Sequence, residues 1–560
     1  MEIVLIILGM MVLLSIKGVI DNKNRKRRLL TRLEQSWGKL PVQEYTEEKF
    51  NSLEYYYNHR YKANKSGFYL DEITWNDLNL NQLFFRLNAT GSAMGEEYLW
   101  ALLHEPNLNA ESLQERERLM GFFKTNPDTR LKLQFAFASI GKNKKLSVFE
   151  YMDRINNVKR EKNIIHYAVL GVFVLSIGLL LTGIPYAGFL LIGGVVYNIL
   201  TYYRRKGEIS SYFSVMSYLI RMIEHAEKIA AENSEELLQP YCDKMTGCTS
   251  KLKKLKKGAY VVAPENPTGD IMSFLMDYVR ILFHTDLIRF NSMLEVFFEN
   301  KDDIIEIFEI IGLLDAMCAT ASFRESLPYY STPEFVPEIC YHAEGLYHPF
   351  LEEPVPADIS TTQSVLVTGS NASGKSTFIK AAAMNSIMAQ TIHTICAKTY
   401  RAPFYKTMTS MALTDNLFGN ESYYIVEIKS LQRILNETKK EIPVLGFIDE
   451  VLRGTNTVER IAASSEILGE MARSNALMFA ATHDIELTYM LESSYSNYHF
   501  EEQIAENEIL FDYKLKSGRA MTQNAIALLG MLGYPEAIIK NAKETAVQFL
   551  STGEWRKVKE

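Results

Sequence analysis

The chain has 560 residues, enough for two to four domains with separate cores. Hydrophobic residues make up 47% and charged residues 23%, and the formal net charge of −7 gives no support for general nucleic-acid binding. DNA contact would therefore need a local basic patch. The five cysteines are scattered and odd in number, which argues against a disulfide framework and is typical of a reducing compartment.

The first apolar run, from Ile3 to Ile16, carries no charge and predicts a membrane-spanning helix that continues to Ile20. A cleaved signal peptide is the alternative, but it needs positive charge before the run and a small-residue cleavage site after it. Here the basic residues follow the run, between Lys23 and Arg28. This order favours a signal anchor whose basic side lies in the cytoplasm.

A second apolar region, Ile164 to Tyr203, contains no Asp, Glu, Lys or Arg. Gly and Pro in the middle favour a turn, which divides the region into two helices, Ile164–Thr182 and Pro185–Tyr203. Both flanks are basic, so both ends of this hairpin are expected in the cytoplasm. A buried helical hairpin in a soluble core is the alternative. With the N-terminal anchor, the sequence predicts three spans.

The soluble regions around the hairpin have apolar residues at helical spacing, as in Ile209–Leu238 and Ile271–Cys318. The lysine-rich run Lys251–Lys257 is consistent with a solvated helix face, or with contact to nucleic acid or lipid headgroups.

From about residue 335, short β-rich runs alternate with helical ones, which predicts an α/β domain with a central sheet. The predicted strands are Ser364–Thr368, Val444–Ile448, Leu477–Ala481 and Ile509–Leu515.

A phosphate-binding loop follows the first of these strands. The string from Gly369 to Ser376 fits G-x-x-x-x-G-K-[ST] in full and opens a helical segment. Backbone N–H groups and the helix N-terminus would neutralise phosphates, Lys375 would reach the β- and γ-phosphates, and the Ser376 hydroxyl would bind Mg²⁺. The predicted ATP-binding residues are Gly369, Ser370, Asn371, Ala372, Ser373, Gly374, Lys375, Ser376 and Thr377.

The second half of the site follows two later strands. Val444–Ile448 ends in Asp449, a predicted Mg²⁺ ligand, and Glu450, a predicted general base for the attacking water. His483 follows another apolar strand, at the sheet edge where ligands bind in α/β folds. A lone histidine is more often structural, but after the other two motifs His483 is interpreted as a γ-phosphate sensor.

These motifs resemble those of the MutS family of mismatch-repair ATPases, within the ABC-type fold. Thr368–Thr377 is similar to the family's phosphate loop, Asp449–Thr457 to its D-E-x-x-R-G-T-x-T stretch, and Ala481–His483 to its A-T-H. Gly345–Pro349 resembles the entry to its ATPase domain, and the segment from Gly518 to Pro535 resembles the closing segment.

The resemblance extends into the helical part of the chain. Thr90, Gly95, Leu99 and Pro106 stand at the spacing of the start of the family's helical core, and Leu313–Ala316 resembles that core's last helix. The implied fold class is an α/β ABC-type P-loop ATPase domain plus an all-α MutS-like core and lever, with transmembrane helices. The expected domains are an anchor and basic flank at 1–30, the first core part at 31–163, the hairpin at 164–203, the second core and lever part at 204–334, and the ATPase domain at 335–560.

The sequence also departs from the family pattern. The N-terminal region is expected to be an anchor, without the domain that reads mismatches in related proteins. Ser422 resembles the signature serine that acts on the nucleotide of a partner subunit, but Asn420-Glu421 replaces the preceding Gly-Arg pair. Pro354 stands where an adenine-stacking aromatic residue is usual, so looser base selectivity is expected.

The resemblance implies a dimeric ATPase that uses ATP and Mg²⁺ to move a helical clamp, with catalytic residues Glu450, His483 and Ser422. Expected partners are a second copy of the chain, membrane lipid, unidentified proteins and weakly, non-specifically bound DNA. The expected location is a bacterial inner or plasma membrane, with the ATPase domain in the cytoplasm. The alternatives are an ABC-type ATPase in a membrane transport or remodelling complex without DNA, and a non-hydrolysing scaffold.

Overall fold

The computed structural model describes residues 2–42, 45–142, 147–156, 162–184, 186–256, 278–370, 373–411, 423–453, 455–505, 508–520, 526, 529 and 533–557. The chain divides into two compact units. The helical unit contains residues 1–66, 85–102 and 117–326. The sheet unit contains residues 67–84, 103–116 and 327–560, so two segments from before the hairpin cluster with the C-terminal part.

The α-helices are, in chain order, α1 (Glu2–Ser36), α2 (Glu47–Ala63), α3 (Glu72–Asp77), α4 (Leu80–Leu87), α5 (Ala93–His104), α6 (Ala110–Thr125), α7 (Pro127–Ile140), α8 (Val148–Asn156), α9 (Ile164–Leu181), α10 (Ala187–Glu232), α11 (Gln239–Lys251), α12 (Lys253–Lys256), α13 (Thr285–Glu299), α14 (Lys301–Ser326), α15 (Lys375–Thr391), α16 (Tyr423–Glu437), α17 (Thr457–Arg473), α18 (Ile485–Met490) and α19 (Glu536–Thr552).

The strands are β1 (Glu334–Phe335), β2 (Tyr341–Leu346), β3 (Ala357–Thr361), β4 (Ser364–Thr368), β5 (Thr399–Ala402), β6 (Lys406–Ser410), β7 (Val444–Asp449), β8 (Ala476–Ala481), β9 (Tyr495–His499), β10 (Glu502–Ala505), β11 (Glu508–Phe511) and β12 (Lys516–Ser517).

A buried carboxylate organises the start of α5 in the helical unit. Asp315, on α14, accepts hydrogen bonds from the backbone N–H of Gly91 at 3.0 Å, and from the N–H and hydroxyl of Ser92 at 2.8 and 2.6 Å. Gly95 lies against this carboxylate, because a Cβ added there would be 2.3 Å from Asp315 Oδ2. Gly95 therefore meets Asp315, a residue of the Leu313–Ala316 segment, in one contact.

The apolar hairpin of the helical unit is formed by α9 and α10, and polar contacts lie at its base. The Nδ1 atoms of His166 and His284 are 3.1 Å apart, and His284 Nε2 lies 3.1 Å from the carbonyl oxygen of Asn198. Farther along α10, the Tyr202 hydroxyl donates to Asp286 at 2.9 Å. These contacts join the hairpin to α13 and the residues just before it.

Among the described residues, α9 is the one helix long and apolar enough to cross a membrane. The second expected span, Pro185–Tyr203, lies mostly within α10, whose helix continues well beyond it to Glu232. The N-terminal expected span, Ile3–Ile16, lies within α1, and its side chains are outside the described part, except that of Ile16.

The sheet unit is built around a six-stranded sheet with the order β12-β9-β4-β8-β7-β6. Five of its strands run parallel and β12 pairs antiparallel with β9. Strands β4 and β8 are buried along their whole length, as expected for central strands covered on both faces. The carboxyl ends of β4, β7 and β8 therefore lie side by side.

Strand β6, at one edge of this sheet, is covered by α3. Asp77 accepts hydrogen bonds from the Thr409 hydroxyl at 2.6 Å and from the Met411 N–H at 2.9 Å. Thr74 accepts from the Thr409 N–H at 3.2 Å. Covering an edge strand in this way satisfies backbone groups that would otherwise be open to pairing with another chain.

Three of the four predicted strands correspond closely to β4, β7 and β8. The fourth prediction, Ile509–Leu515, is wrong in extent, because β11 ends at Phe511 and pairs with β10 in a separate two-stranded sheet. A mixed four-stranded sheet with the order β1-β5-β2-β3 completes the unit.

Candidate functional site

Two glycines of the loop after β4 have positive φ angles. Gly369 has φ +143° and Gly374 has φ +109°, which are conformations that favour glycine. A Cβ at Gly369 would also be 2.7 Å from the carbonyl oxygen of Phe500. Helix α15 begins at Lys375, directly after the loop, so its N-terminus and partial positive charge face the loop.

Lys375 is the cation of this loop. The residue is only 5% exposed, and its Nζ donates to the carbonyl oxygens of Gly369 and Ser370, both at 2.7 Å. Burial lowers the pKa of Lys375, while the nearby carboxylates of Asp449 and Glu450 oppose that shift. The lysine is thus held beside the position that phosphates occupy in a loop of this type.

The hydroxyl-bearing residues of the loop divide into two groups. Ser376 and Thr377 are exposed and line the adjacent cavity. Ser370 and Ser373 also line the cavity, but their hydroxyls are engaged within the protein: Ser370 donates to Glu502 at 2.8 Å, and buried Ser373 donates to the carbonyl oxygen of Ser370 at 2.8 Å. The predicted loop residues Asn371 and Ala372 lie outside the described part of the chain, as does the predicted catalytic residue Ser422.

The cavity beside the loop has a volume of about 510 Å³, within the range of small-molecule sites. Its polar side includes Lys375, Ser376, Asp449, Glu450 and His483. Its apolar side consists of aliphatic and aromatic side chains, among them Leu346, Leu351, Val355, Phe378, Phe500 and Tyr513. A lining that combines charged and apolar side chains suits a ligand that carries both phosphates and a flat ring.

Two acidic residues stand at the end of β7. Glu450 has φ +62°, in the left-handed region, and its N–H donates to the carbonyl oxygen of Ala481 at 3.0 Å. Its carboxylate lies 3.2 Å from His483 Nε2 and 2.8 Å from Arg453 Nε. The hydrogen bond from His483, followed by the charge of Arg453, lowers the pKa of Glu450 despite partial burial. The carboxylate is therefore ionised at neutral pH.

The position of His483 follows from its strand. β8 lies between β4 and β7, and the residue after it, Thr482, donates its N–H to the carbonyl oxygen of Val367 at 3.0 Å. Beyond His483, Asp484 forms a two-point ion pair with Arg460, at 3.1 and 2.5 Å. The loop that carries His483 is thus held on both sides.

The structure brings together Lys375, Ser376, Asp449, Glu450 and His483 around one cavity, as the sequence analysis expects of a single site. The role assigned to each of them stays a prediction.

Sequence reasoning missed two residues that act on the acidic pair. Arg453 donates to the carbonyl oxygen of Asp449 at 2.7 Å besides contacting Glu450. Its place in the D-E-x-x-R-G-T stretch was the available signal. Glu427, on α16, accepts hydrogen bonds from the backbone N–H groups of Leu452 and Arg453. Its signal was its place in Ser422–Ile428, which resembles the family's S-T-F-M-V-E-M stretch, but no local pattern links that stretch to the turn.

The strand–loop–helix arrangement, with its lysine and strand-end carboxylates, defines the class of P-loop proteins. Comparison with known proteins refines this class. Residues 365–550 match the family model for MutS domain V.

Individual relatives agree with the family match. The chain is 30% identical over 269 residues to the DNA mismatch repair protein MutS of Natronomonas pharaonis, covering 46% of this chain and 31% of that protein. It is 29% identical over 267 residues to the DNA mismatch repair protein MutS of Thermotoga maritima, covering 46% and 33%. It is 28% identical over 288 residues to the human MutS protein homolog 4, covering 48% and 30%. The matches thus span about a third of each relative, and together they support a MutS-family protein.

Proposed function

We propose that this chain is a membrane-anchored, MutS-like ATPase of the ABC type, whose cycle of ATP binding and hydrolysis changes the conformation of a helical clamp. The observation that carries the proposal is the cavity of the sheet unit, where Lys375, Glu450 and His483 meet beside a glycine-rich loop. The MutS domain V match over residues 365–550 supports the same reaction class.

In this proposal the loop N–H groups, the α15 N-terminus and Lys375 bind the phosphates of ATP. Ser376 and Asp449 would hold Mg²⁺, which neutralises phosphate charge when it is bound. Glu450 accepts the proton of the attacking water, because its contacts with His483 and Arg453 keep the carboxylate ionised and oriented. The apolar side of the cavity receives the base.

Two substitutions test the reaction. Lys375→Ala should weaken ATP binding, because the loop loses a buried cation. Glu450→Gln should preserve binding but slow hydrolysis by about 10²-fold or more, as for the loss of a general base. Glu470→Gln is the matched control, since Glu470 is an exposed carboxylate on α17 that pairs with Arg473. A Glu450→Gln protein that hydrolyses ATP at the wild-type rate would exclude this mechanism.

The proposal includes a homodimer whose ATP sites are shared between subunits. Its support is the resemblance of Ser422 to the family's signature serine. Chains carrying Ser422→Ala are mixed with chains carrying Lys375→Ala. In a shared-site dimer, one interface of the mixed dimer combines both defects and the other has neither, so one competent site remains. Activity equal to the average of two independent subunits would count against sharing.

Membrane anchoring is proposed from the hairpin of α9 and α10. Large apolar side chains on it are exposed, including Ile164 at 70%, Leu181 at 83% and Phe189 at 77%. A contiguous apolar surface of this kind is unusual for a soluble protein and suits a lipid environment. The expected topology has three spans in a bacterial inner or plasma membrane. The sheet unit is expected on the cytoplasmic side of that membrane.

The two basic tracts differ in how they are neutralised, which bears on the choice between lipid and DNA. In the lysine-rich tract of α11 and α12, Lys251 pairs with Asp303 at 2.7 Å and Lys256 pairs with Glu227, while Lys253 and Lys254 form no ion pair with the described residues. On α1, the cations from Lys23 to Arg32 form no ion pair within the described part of the chain. These unneutralised cations follow directly on the apolar N-terminal run, where anionic headgroups would lie.

This difference favours a lipid partner for α1 and weak DNA binding overall, so a membrane complex that acts without DNA is the second candidate function. The test is binding of matched and mismatched duplexes to the detergent-purified protein at two salt concentrations. We expect weak binding that falls steeply with salt and ignores mismatches. A mismatch preference of about tenfold, worth ~1.4 kcal/mol, would restore a repair role.

A further inference from the structure

The turn that carries Glu450 is held in an uncommon backbone conformation. Both Glu450, at φ +62°, and Leu452, at φ +57°, adopt the left-handed region although neither is glycine. Side chains disfavour this region, so such a turn persists only where surrounding contacts hold it. The contacts that hold this turn therefore also determine where the Glu450 carboxylate points.

Glu427 provides two of these contacts from a separate element. Its Oε1 accepts the backbone N–H of Leu452 at 2.5 Å and that of Arg453 at 3.3 Å. The residue is 2% exposed, on the face of α16 that packs toward the turn. Its Oε2 has no hydrogen-bond partner within the described residues. Burying a carboxylate with one oxygen bonded to a strained turn and the other unpaired costs free energy, so packing alone does not account for a glutamate at this position.

The turn also contacts the acidic pair, Asp449 and Glu450, through Arg453. Arg453, whose N–H is bound by Glu427, reaches the carbonyl oxygen of Asp449 and the carboxylate of Glu450 through its guanidinium. Val451 and Leu452 are buried in the core of the sheet unit. The turn is therefore held both by this packing and by the hydrogen bonds to Glu427. Loss of the Glu427 hydrogen bonds frees the two backbone N–H groups and lets Glu450 and Leu452 leave the left-handed conformation.

We infer that Glu427 is a positioning residue for ATP hydrolysis: its carboxylate holds the 450–453 turn so that Glu450 faces the attacking water. Glu427 does not line the cavity that contains Lys375 and His483, and it acts through the turn. This inference rests on the proposed function. It assigns to Glu427 an effect on the rate of hydrolysis and not on the binding of nucleotide, since the phosphate loop is untouched.

The positioning role requires an acceptor oxygen, because the donors that Glu427 binds are the neutral backbone N–H groups of Leu452 and Arg453. Burial raises the pKa of Glu427, and hydrogen bonds from the turn oppose that shift. A neutral side chain that keeps an oxygen at the same place should still accept from both N–H groups. Glu427→Gln retains this oxygen, whereas Glu427→Met has a similar length and no comparable acceptor.

The experiment measures ATP hydrolysis, ATP affinity and thermal stability for full-length, detergent-purified variants. Glu427→Met should reduce kcat by about 10- to 100-fold, as expected for a small displacement of a catalytic group, with ATP affinity within about twofold of wild type. Glu427→Gln should keep most of the wild-type rate. Glu437→Gln, on the same helix but paired with Lys406 and Lys440, is the control and should leave kcat unchanged.

A readout independent of catalysis accompanies the rates. Amide hydrogen exchange at Leu452 and Arg453 should accelerate in Glu427→Met and stay slow in Glu427→Gln. Three results would overturn the inference: wild-type kcat in Glu427→Met, a parallel loss of kcat and ATP affinity with a lower Tm, or equal slowing by Gln and Met. If Glu450→Gln itself hydrolyses ATP normally, the proposed function fails. If Glu450→Gln is slow and Glu427→Met is not, only the positioning role fails.

Discussion

The contact between Gly95 and Asp315 gives the sharpest test of the helical unit. An alanine Cβ at position 95 would lie 2.3 Å from Oδ2, 2.5 Å from Cγ and 2.7 Å from Cβ of Asp315, all well inside van der Waals contact. Either the helices separate or the aspartate side chain moves. In both cases Asp315 loses hydrogen bonds from Gly91 and Ser92, at the N-terminus of α5.

The cost of Gly95→Ala can be worked out from these contacts. Overpacking a core costs ~1–3 kcal/mol, and each hydrogen bond to a charged group contributes ~1.5–3 kcal/mol. Overpacking together with the loss of one or two of the three bonds therefore lowers the free energy of unfolding by at least about 2.5 kcal/mol. Asp315 is 2% exposed, so water cannot replace the lost donors.

The assay is chemical denaturation of the detergent-purified protein, with Gly121→Ala as a matched control. Gly121 lies within α6 and has no neighbour within 4 Å of an added Cβ. Replacing it with alanine should stabilise the helix by about 0.5–1 kcal/mol through reduced backbone entropy. If Gly95→Ala is as stable as Gly121→Ala, the close contact with Asp315 is not what requires glycine at position 95.

Three further predictions concern pH and topology. Burial raises the pKa of Glu97 from 4.5 to about 7. The stabilising contribution of the protonated carboxyl is therefore complete below about pH 4.5 and is lost as pH rises through about 7. Glu97→Gln should flatten this pH dependence of stability in thermal melts, and an unchanged slope would contradict the prediction. His483 lowers the pKa of Glu450, so His483→Ala should move the acid limb of the pH–rate profile to higher pH, and an unmoved limb would refute this contribution. A reporter tag near Gly183 should lie on the far side of the membrane from tags after residues 30 and 210, and a cytoplasmic result would refute the hairpin.

Much of the candidate site was predictable because its parts are contiguous in sequence. A phosphate loop needs glycines, a lysine and a hydroxyl within a few residues, directly after a strand, so Gly369–Ser376 carries its own structural context. The same holds for Asp449 and Glu450, which follow the buried run of β7. Strand and helix periodicity located β4, β7 and β8, because burial on both faces leaves a continuous apolar run.

The extent of the less regular elements was not predictable in the same way. The run Ile509–Leu515 has β-rich composition, but β11 ends at Phe511, where its pairing with β10 ends. The division of the chain also follows contacts and not sequence order. Residues 67–84 join the sheet unit because α3 covers β6 through Asp77 and Thr74. The amino-acid composition of these residues does not indicate that contact.

The sequence by itself determined the class of the site, since its chemistry depends on residue types at short, fixed spacing. Tertiary structure alone decided how these residues are held. It put Arg453 and His483 on either side of Glu450, brought Glu427 to the left-handed turn beside it, and set Gly95 against Asp315. These contacts join residues that are distant in sequence or oriented by an uncommon backbone conformation. Their geometry depends on how helices and strands pack, which no local pattern encodes.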